Sequence, residues 1–164
     1  MAASRSGAAK ANDPLVILGK FRILIRAAQR HSAAIQKSCG VSGAQLWMLQ
    51  ELRDTPGLRV GELATRMAIH QTTTSNLLDS LEKSGYVMKS RDESDQRVVN
   101  LSLTPSGAKV LRKAPQPARG MLPEALSKVS AADRAKLNAG LQALLDVIED
   151  PDQGAGEKPL SFNL

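Results

Sequence analysis

Between Arg91 and Arg97 the chain carries an unbroken charged or polar run, RDESDQR, ahead of the alternating segment VVNLSL and the pair Thr104-Pro105. Arg91 and Arg97 flank the tip of this run. Guanidinium groups so placed suit a phosphate backbone or a narrow groove. Asp95 lies two before Arg97, close enough to accept from its guanidinium or from turn amides and so set its direction. By itself the pair is equally compatible with an exposed ion pair worth about 0–1 kcal/mol.

A second set lies upstream. Gln71, Thr72, Thr73, Ser75 and Asn76 crowd the start of a segment whose Thr74, Leu77, Leu78 and Leu81 form an apolar face. Amides and hydroxyls at a helix N-terminus, beside backbone N–H groups without intrahelical acceptors, can meet phosphates and base edges. The same residues also serve elsewhere as caps and solvated surface. His70, at the turn entering this helix, is placed to touch a phosphate.

Other chemistries find little support. His31, Cys39 and His70 share no i, i+3 or i+4 spacing and gather no carboxylates, so no metal site or cofactor is expected. Gly-x-Ser-x-Gly, Walker and His-Glu-x-x-His motifs are absent, which argues against an enzyme. Cys39 rules out an intramolecular disulfide and fits a reducing compartment. Lys37 nearby favours thiolate, leaving a redox-responsive role open beside that of an incidental cysteine.

The elements that must position these residues can be read from caps and periodicity. Asp13-Pro14 reads as an N-cap with proline at the first helical position. Ile17, Leu18, Phe21, Leu24, Ile25, Ala28 and Ile35 then keep one face apolar up to Gly40. Ser42 and Gln45 form a capping box, and Leu46, Leu49 and Leu52 form the next stripe. A short helix, RVGELATRM, and the turn Ala68-Ile69-His70 lead into a helix over 71–84 that Gly85 closes. YVMKS and RVVNLSL read as strands on either side of the charged run. Thr104-Pro105 converts strand to helix. Pro115, Pro117 and Pro123 are expected to interrupt helical structure between 115 and 129, and Ser130 with Asp133 starts a last helix. Leu137, Leu141, Leu144, Leu145 and Ile148 make that helix apolar.

Only two Phe, one Trp and one Tyr serve the core, so Ala and Leu fill it, which favours helices. Net charge is +6 with a pI near 9.8, a balance that favours a polyanionic partner. Scarce aromatic residues make RNA a weaker partner than DNA. Neither a signal-peptide core nor an apolar run near the ~18 residues of a membrane span is evident. A soluble, cytoplasmic protein without a membrane partner is expected.

Helix, short helix–turn–helix, strand, Arg-rich loop, strand: this order describes a winged helix. The fold class expected is mainly α with a small antiparallel β wing. DQRVVNLSLTPSG resembles the Asp-x-Arg…Leu-Thr-x-x-Gly wing signature of MarR-type transcriptional regulators. GELATRMAIHQTTTSNLLDSLEKSGYV resembles their helix-turn-helix, with Glu62-Leu63-Ala64, Leu81-Glu82 and Gly85-Tyr86-Val87 at matching spacing.

The resemblance spans residues 15 to 149 and implies a homodimer on double-stranded DNA. In that organisation 1–12 is a disordered tail, 13–40 a dimerisation helix and 41–104 the winged helix-turn-helix lobe. Residues 105–149 are C-terminal dimerisation helices and 150–164 a flexible tail. Leu18, Phe21, Ile25, Leu141, Leu145 and Ile148 would build the dimer interface. Arg97 becomes the wing arginine, Asp95 its orienting partner, and Gln71 to Asn76 the reading surface. His31 and Trp47 stand where a pocket for a small aromatic or carboxylate effector is expected, although a tryptophan there also suits plain core.

The chain departs from the family in two places. Asn76 stands where many members carry Arg, so readout leans on amides and hydroxyls. The three prolines break a usually long fifth helix. A ligand-responsive repressor on a pseudo-palindromic operator is the reading; a constitutive or architectural DNA-binding protein is the alternative.

Overall fold

The Asp13 side chain accepts the Leu15 N–H at 2.8 Å, and Pro14 occupies the first helical position, where no amide donor is needed. Helix α1 then runs Pro14–Cys39 and stops at Gly40, whose φ of 69° lies in the left-handed region. Residues 13–91, 95 and 98–160 are described by the computed structural model; the N-terminal tail at 1–12, Arg97 and residues 161–164 lie outside them.

Helix α2 is Gly43–Asp54. Its capping box is complete: Ser42 Oγ accepts from Gln45 N–H at 3.2 Å, and Gln45 Oε1 accepts from Ser42 N–H at 2.9 Å. Helix α3, Val60–Met67, comes next, then the turn to helix α4, Gln71–Lys83. Ala68 takes φ 52° in that turn, a left-handed conformation that costs a side-chain-bearing residue roughly 1–2 kcal/mol. Strands β1, Val87–Arg91, and β2, Val99–Leu103, pair antiparallel with Val87 opposite Leu103 and Arg91 opposite Val99.

Leu46, Leu49 and Leu52 of α2 are fully buried at the centre of the lobe, with Leu63, Leu78, Leu81, Val87, Leu101 and Ile35 around them. Burying each such side chain contributes about 1.5–3 kcal/mol. Leu101 also ties the wing to the lobe by its backbone: its N–H donates to the Leu58 carbonyl and its carbonyl accepts from Gly57 N–H, both at 3.0 Å.

Thr104 caps helix α5, Pro105–Lys113, accepting from Gly107 N–H at 3.1 Å while donating to the Gly85 carbonyl at 2.7 Å. Strand end, helix start and the close of α4 are thereby pinned together. A Cβ at Gly107 would fall on the Tyr86 carbonyl and the Leu103 side chain, so only glycine fits there.

The chain leaves α5 at Ala114 and passes Pro115 and Pro117 without helix. Helix α6 is Met121–Lys128 and α7 is Ala131–Leu145, capped by Ser130. Pro123 does not interrupt a helix. It is the third residue of α6, in the first turn, where its missing N–H has no partner to lose.

Residues beyond 150, expected as a flexible tail, include a 3-10 helix at Gln153–Glu157, and Glu157 reaches His70.

Candidate nucleic-acid interface

Three successive threonines weaken the intrinsic helix preference of α4, because their branched side chains lose rotamer freedom. Packing overrides that preference. Thr74, Leu78 and Leu81 are buried, and Thr74 Oγ1 returns a bond to the His70 carbonyl at 3.0 Å. Burying this face leaves Gln71, Thr72 and Asn76 exposed and Thr73 and Ser75 half-buried. Hydroxyl and amide groups therefore line the outward side of the first two turns. His70, the N-cap, is exposed and offers no side-chain bond to those turns. Its own N–H donates to the Glu157 carbonyl at 3.0 Å, and its Nδ1 lies 2.8 Å from the Glu157 carboxylate.

The wing is fastened to the same helix. Lys89 of β1 pairs with Asp79 at 2.5 Å and with Glu82 at 2.9 Å, both on α4. The bond to Asp79, with a second from Glu82, raises the Lys89 pKa above its ordinary value, and Lys89 lowers that of Asp79. No motif announces this clip. Its signal was Asp79 and Glu82, three apart on one helix face, ahead of a lysine in the strand. Arg91 is exposed at the end of β1, and Asp95 is exposed with its carbonyl accepting the Val98 N–H at 2.9 Å. Arg97 lies outside the described residues, so the geometry of the Asp95–Arg97 pair does too.

A cavity of about 260 Å³ opens between α1, α2, the α3–α4 turn and the start of α6, with His31, Ile35, Trp47, Met67, Arg119 and Lys158 among its walls. His31 Nε2 lies 2.9 Å from the Pro117 carbonyl, a bond that requires the proton on Nε2. Trp47 donates its indole N–H to Glu51 Oε1 at 2.9 Å. Glu51, 5% exposed, also receives Arg119 at 2.7 Å and Arg66 at 3.4 Å. Burial works to raise its pKa, but the bonds from Arg119, Trp47 and Arg66 together hold the carboxyl below its ordinary value.

Residues 41–99, from just ahead of α2 to the first residue of β2, match the sequence model described as the MarR family. HTH-type transcriptional repressor NicR of Pseudomonas putida is 31% identical over 153 residues, covering 88% of this chain and 92% of that protein. An uncharacterized HTH-type transcriptional regulator of Bacillus subtilis, YfiV, is 31% identical over 110 residues, covering 67% and 69%. The chain belongs to the MarR family. The crystal structure of Sco3205, a MarR family transcriptional regulator from Streptomyces coelicolor in complex with DNA, superposes with a TM-score of 0.58. It is 22% identical, covers 88% of this chain and 92% of its own, and shares the winged-helix fold. The chain is thus a DNA-binding transcriptional regulator of the MarR family rather than an enzyme.

In this MarR family member, Cys39 is half-buried at the end of α1, with its sulfur 3.9 Å from the Val110 carbonyl. Among the described residues no three His, Cys, Asp or Glu are grouped to hold a metal ion, and no helix is long and apolar enough to cross a membrane. Apolar residues cover much of the outward surface of α1 and α7. Leu18, Ile25, Leu141 and Leu145 are exposed, Phe21 is half-buried, and Ile148, expected within the last helix, is exposed beyond its end at Leu145; α7 buries no residue within its own chain.

Proposed function

We propose that the protein is a cytoplasmic, ligand-responsive repressor that binds a pseudo-palindromic operator as a homodimer. The observation that carries the reading is the outward face of α4, where Gln71, Thr72 and Asn76 stand clear of the buried Thr74, Leu78 and Leu81. Asn and Gln pair with adenine edges, and threonine methyls meet thymine methyls. The Arg91–Arg97 wing and His70 would supply sequence-independent phosphate contacts, with Asp95 aiming Arg97. A two-fold dimer would set its two α4 helices in half-sites about 34–36 Å apart. The exposed apolar faces of α1 and α7 support that dimer. Repression is supported by the relative NicR, itself a repressor.

The effector would enter the cavity beside His31 and Trp47. Apolar walls suit a small aromatic ligand, whose carboxylate would have to compete with Glu51 for Arg119 or with Asp152 for Lys158. Such a ligand would shift the lobes only by binding one spacing of them better than the other.

The test is binding of the purified protein to duplex DNA from upstream of its own gene and to random duplex, at two salt concentrations. Tight, competitor-resistant and salt-dependent binding of the upstream duplex by a dimer is expected. Equal binding of both duplexes would favour a constitutive or architectural DNA-binding protein.

A further inference from the structure

Past α7 the chain turns back on the DNA-binding lobe. The 3-10 helix at Gln153–Glu157 delivers Glu157 to the first turn of α4, where its carbonyl accepts the His70 N–H and its carboxylate lies against His70 Nδ1. Pro159 and Leu160 then lie along the wall of the cavity, with Pro159 half-buried. The segment has internal order of its own: Asp152 accepts the Ala155 N–H at 3.0 Å, and Ala155 accepts the Lys158 N–H at 3.2 Å. In a chain of net charge +6, residues 150–160 place Asp150, Asp152 and Glu157 against the single cation Lys158.

A carboxylate at a helix N-terminus sits where the backbone dipole and unpaired N–H groups favour an anion. A DNA phosphate approaching α4 would seek the same place and the same imidazole. Only one of the two can hold it. We propose that residues 150–160 are an autoinhibitory strap, anchored at Pro159 in the cavity wall, whose Glu157 occupies the phosphate position at the start of α4 and must leave when DNA binds. The proposal rests on the reading of α4 as the DNA-contacting helix. It adds that the chain carries its own competitor for that helix.

Two full-length variants test it. Glu157→Gln removes the charge at α4 and keeps the backbone bond, whereas Pro159→Ser loosens the anchor with no change of charge. Dissociation constants for the upstream duplex should fall roughly two- to fivefold in each, the size of one exposed ion pair, with a larger gain at low salt. Hydrogen exchange at the His70 amide should speed up in Pro159→Ser as the strap detaches.

Unchanged affinity in both variants overturns the strap. So does tighter binding by Glu157→Gln alone, which marks a general charge effect, and so does faster His70 exchange without tighter binding. Failure of every form to bind any duplex overturns something else, the assignment of α4 itself.

Discussion

Arg119 Nε donates to Glu51 Oε1 at 2.7 Å across 68 residues of sequence, and Arg119 also reaches Asp54 at 3.0 Å. The contact joins the middle of α2, inside the DNA-binding lobe, to the linker that carries α6 and α7. Arg66 of α3 meets the same carboxylate, so one buried Glu ties α2 to α3 and to the base of the C-terminal arm. This contact fixes the spacing between α2, α3 and the start of the C-terminal arm.

The first prediction concerns acid. Glu51 has its pKa lowered in the folded protein, so its contribution to stability is fully present above about pH 4.5, the ordinary value, and fades as pH falls through the lowered one. Glu51→Gln should lose about 1–2 kcal/mol at pH 7, since charged hydrogen bonds are removed but their Arg partners remain partly solvated. Urea unfolding of both proteins from pH 7 to pH 3 reads this directly. The two midpoints should converge at low pH; parallel curves would show that the network is not the acid-sensitive element.

Gly107 gives the second. The glycine of the Leu-Thr-x-x-Gly motif leaves room for the Tyr86 carbonyl and the Leu103 side chain, and a methyl there meets both. Gly107→Ala should cost about 1–3 kcal/mol, the usual penalty for overfilling a packed site. Thermal unfolding measures it. Gly140, whose added Cβ would meet nothing, is the control: Gly140→Ala on α7 should be neutral or slightly stabilising.

Lys89 supports a third. It holds β1 against Asp79 and Glu82 of α4, and without it those two carboxylates lose their cation on the helix proposed to contact DNA. Lys89→Gln should weaken DNA binding severalfold and speed amide exchange along β1, while the core of α2 stays protected. Unchanged β1 exchange would show that strand pairing alone positions the wing.

Features that act locally were legible from the sequence. Asp13-Pro14, the Ser42/Gln45 box, Thr104-Pro105 and the left-handed Gly40 and Gly85 each need only neighbours within about five residues, and each stands where those residue types place it. The stripes of α2 and α4 arise from helical period and the burial of Leu and Thr. Long-range pairings were not legible. Nothing in the spacing of Glu51 and Arg119 announces a contact that depends on how the linker turns after α5. Pro123 departs from expectation because proline in a helix is harmless or disruptive according to its distance from the N-terminus, which composition does not reveal. The return of Glu157 to His70 depends on where α7 ends.

The last prediction concerns assembly. Ile25 on α1 is 48% exposed and Leu145 on α7 is 39% exposed, beside the exposed Leu18 and Leu24 of α1 and Leu141 and Leu144 of α7. Burying each aliphatic side chain contributes about 1.5–3 kcal/mol. Across a two-fold axis every substitution occurs twice, so its effect on dimerisation doubles. Ile25→Glu or Leu145→Glu should therefore raise the dimer dissociation constant by roughly 100-fold or more. Sedimentation at micromolar concentration should then find monomers whose helical content is unchanged. Operator affinity should collapse with the dimer, because half of the contacts are lost. Retention of single-half-site binding would separate a broken dimer from a broken lobe. A variant that still sediments as a dimer would move the interface away from these two faces.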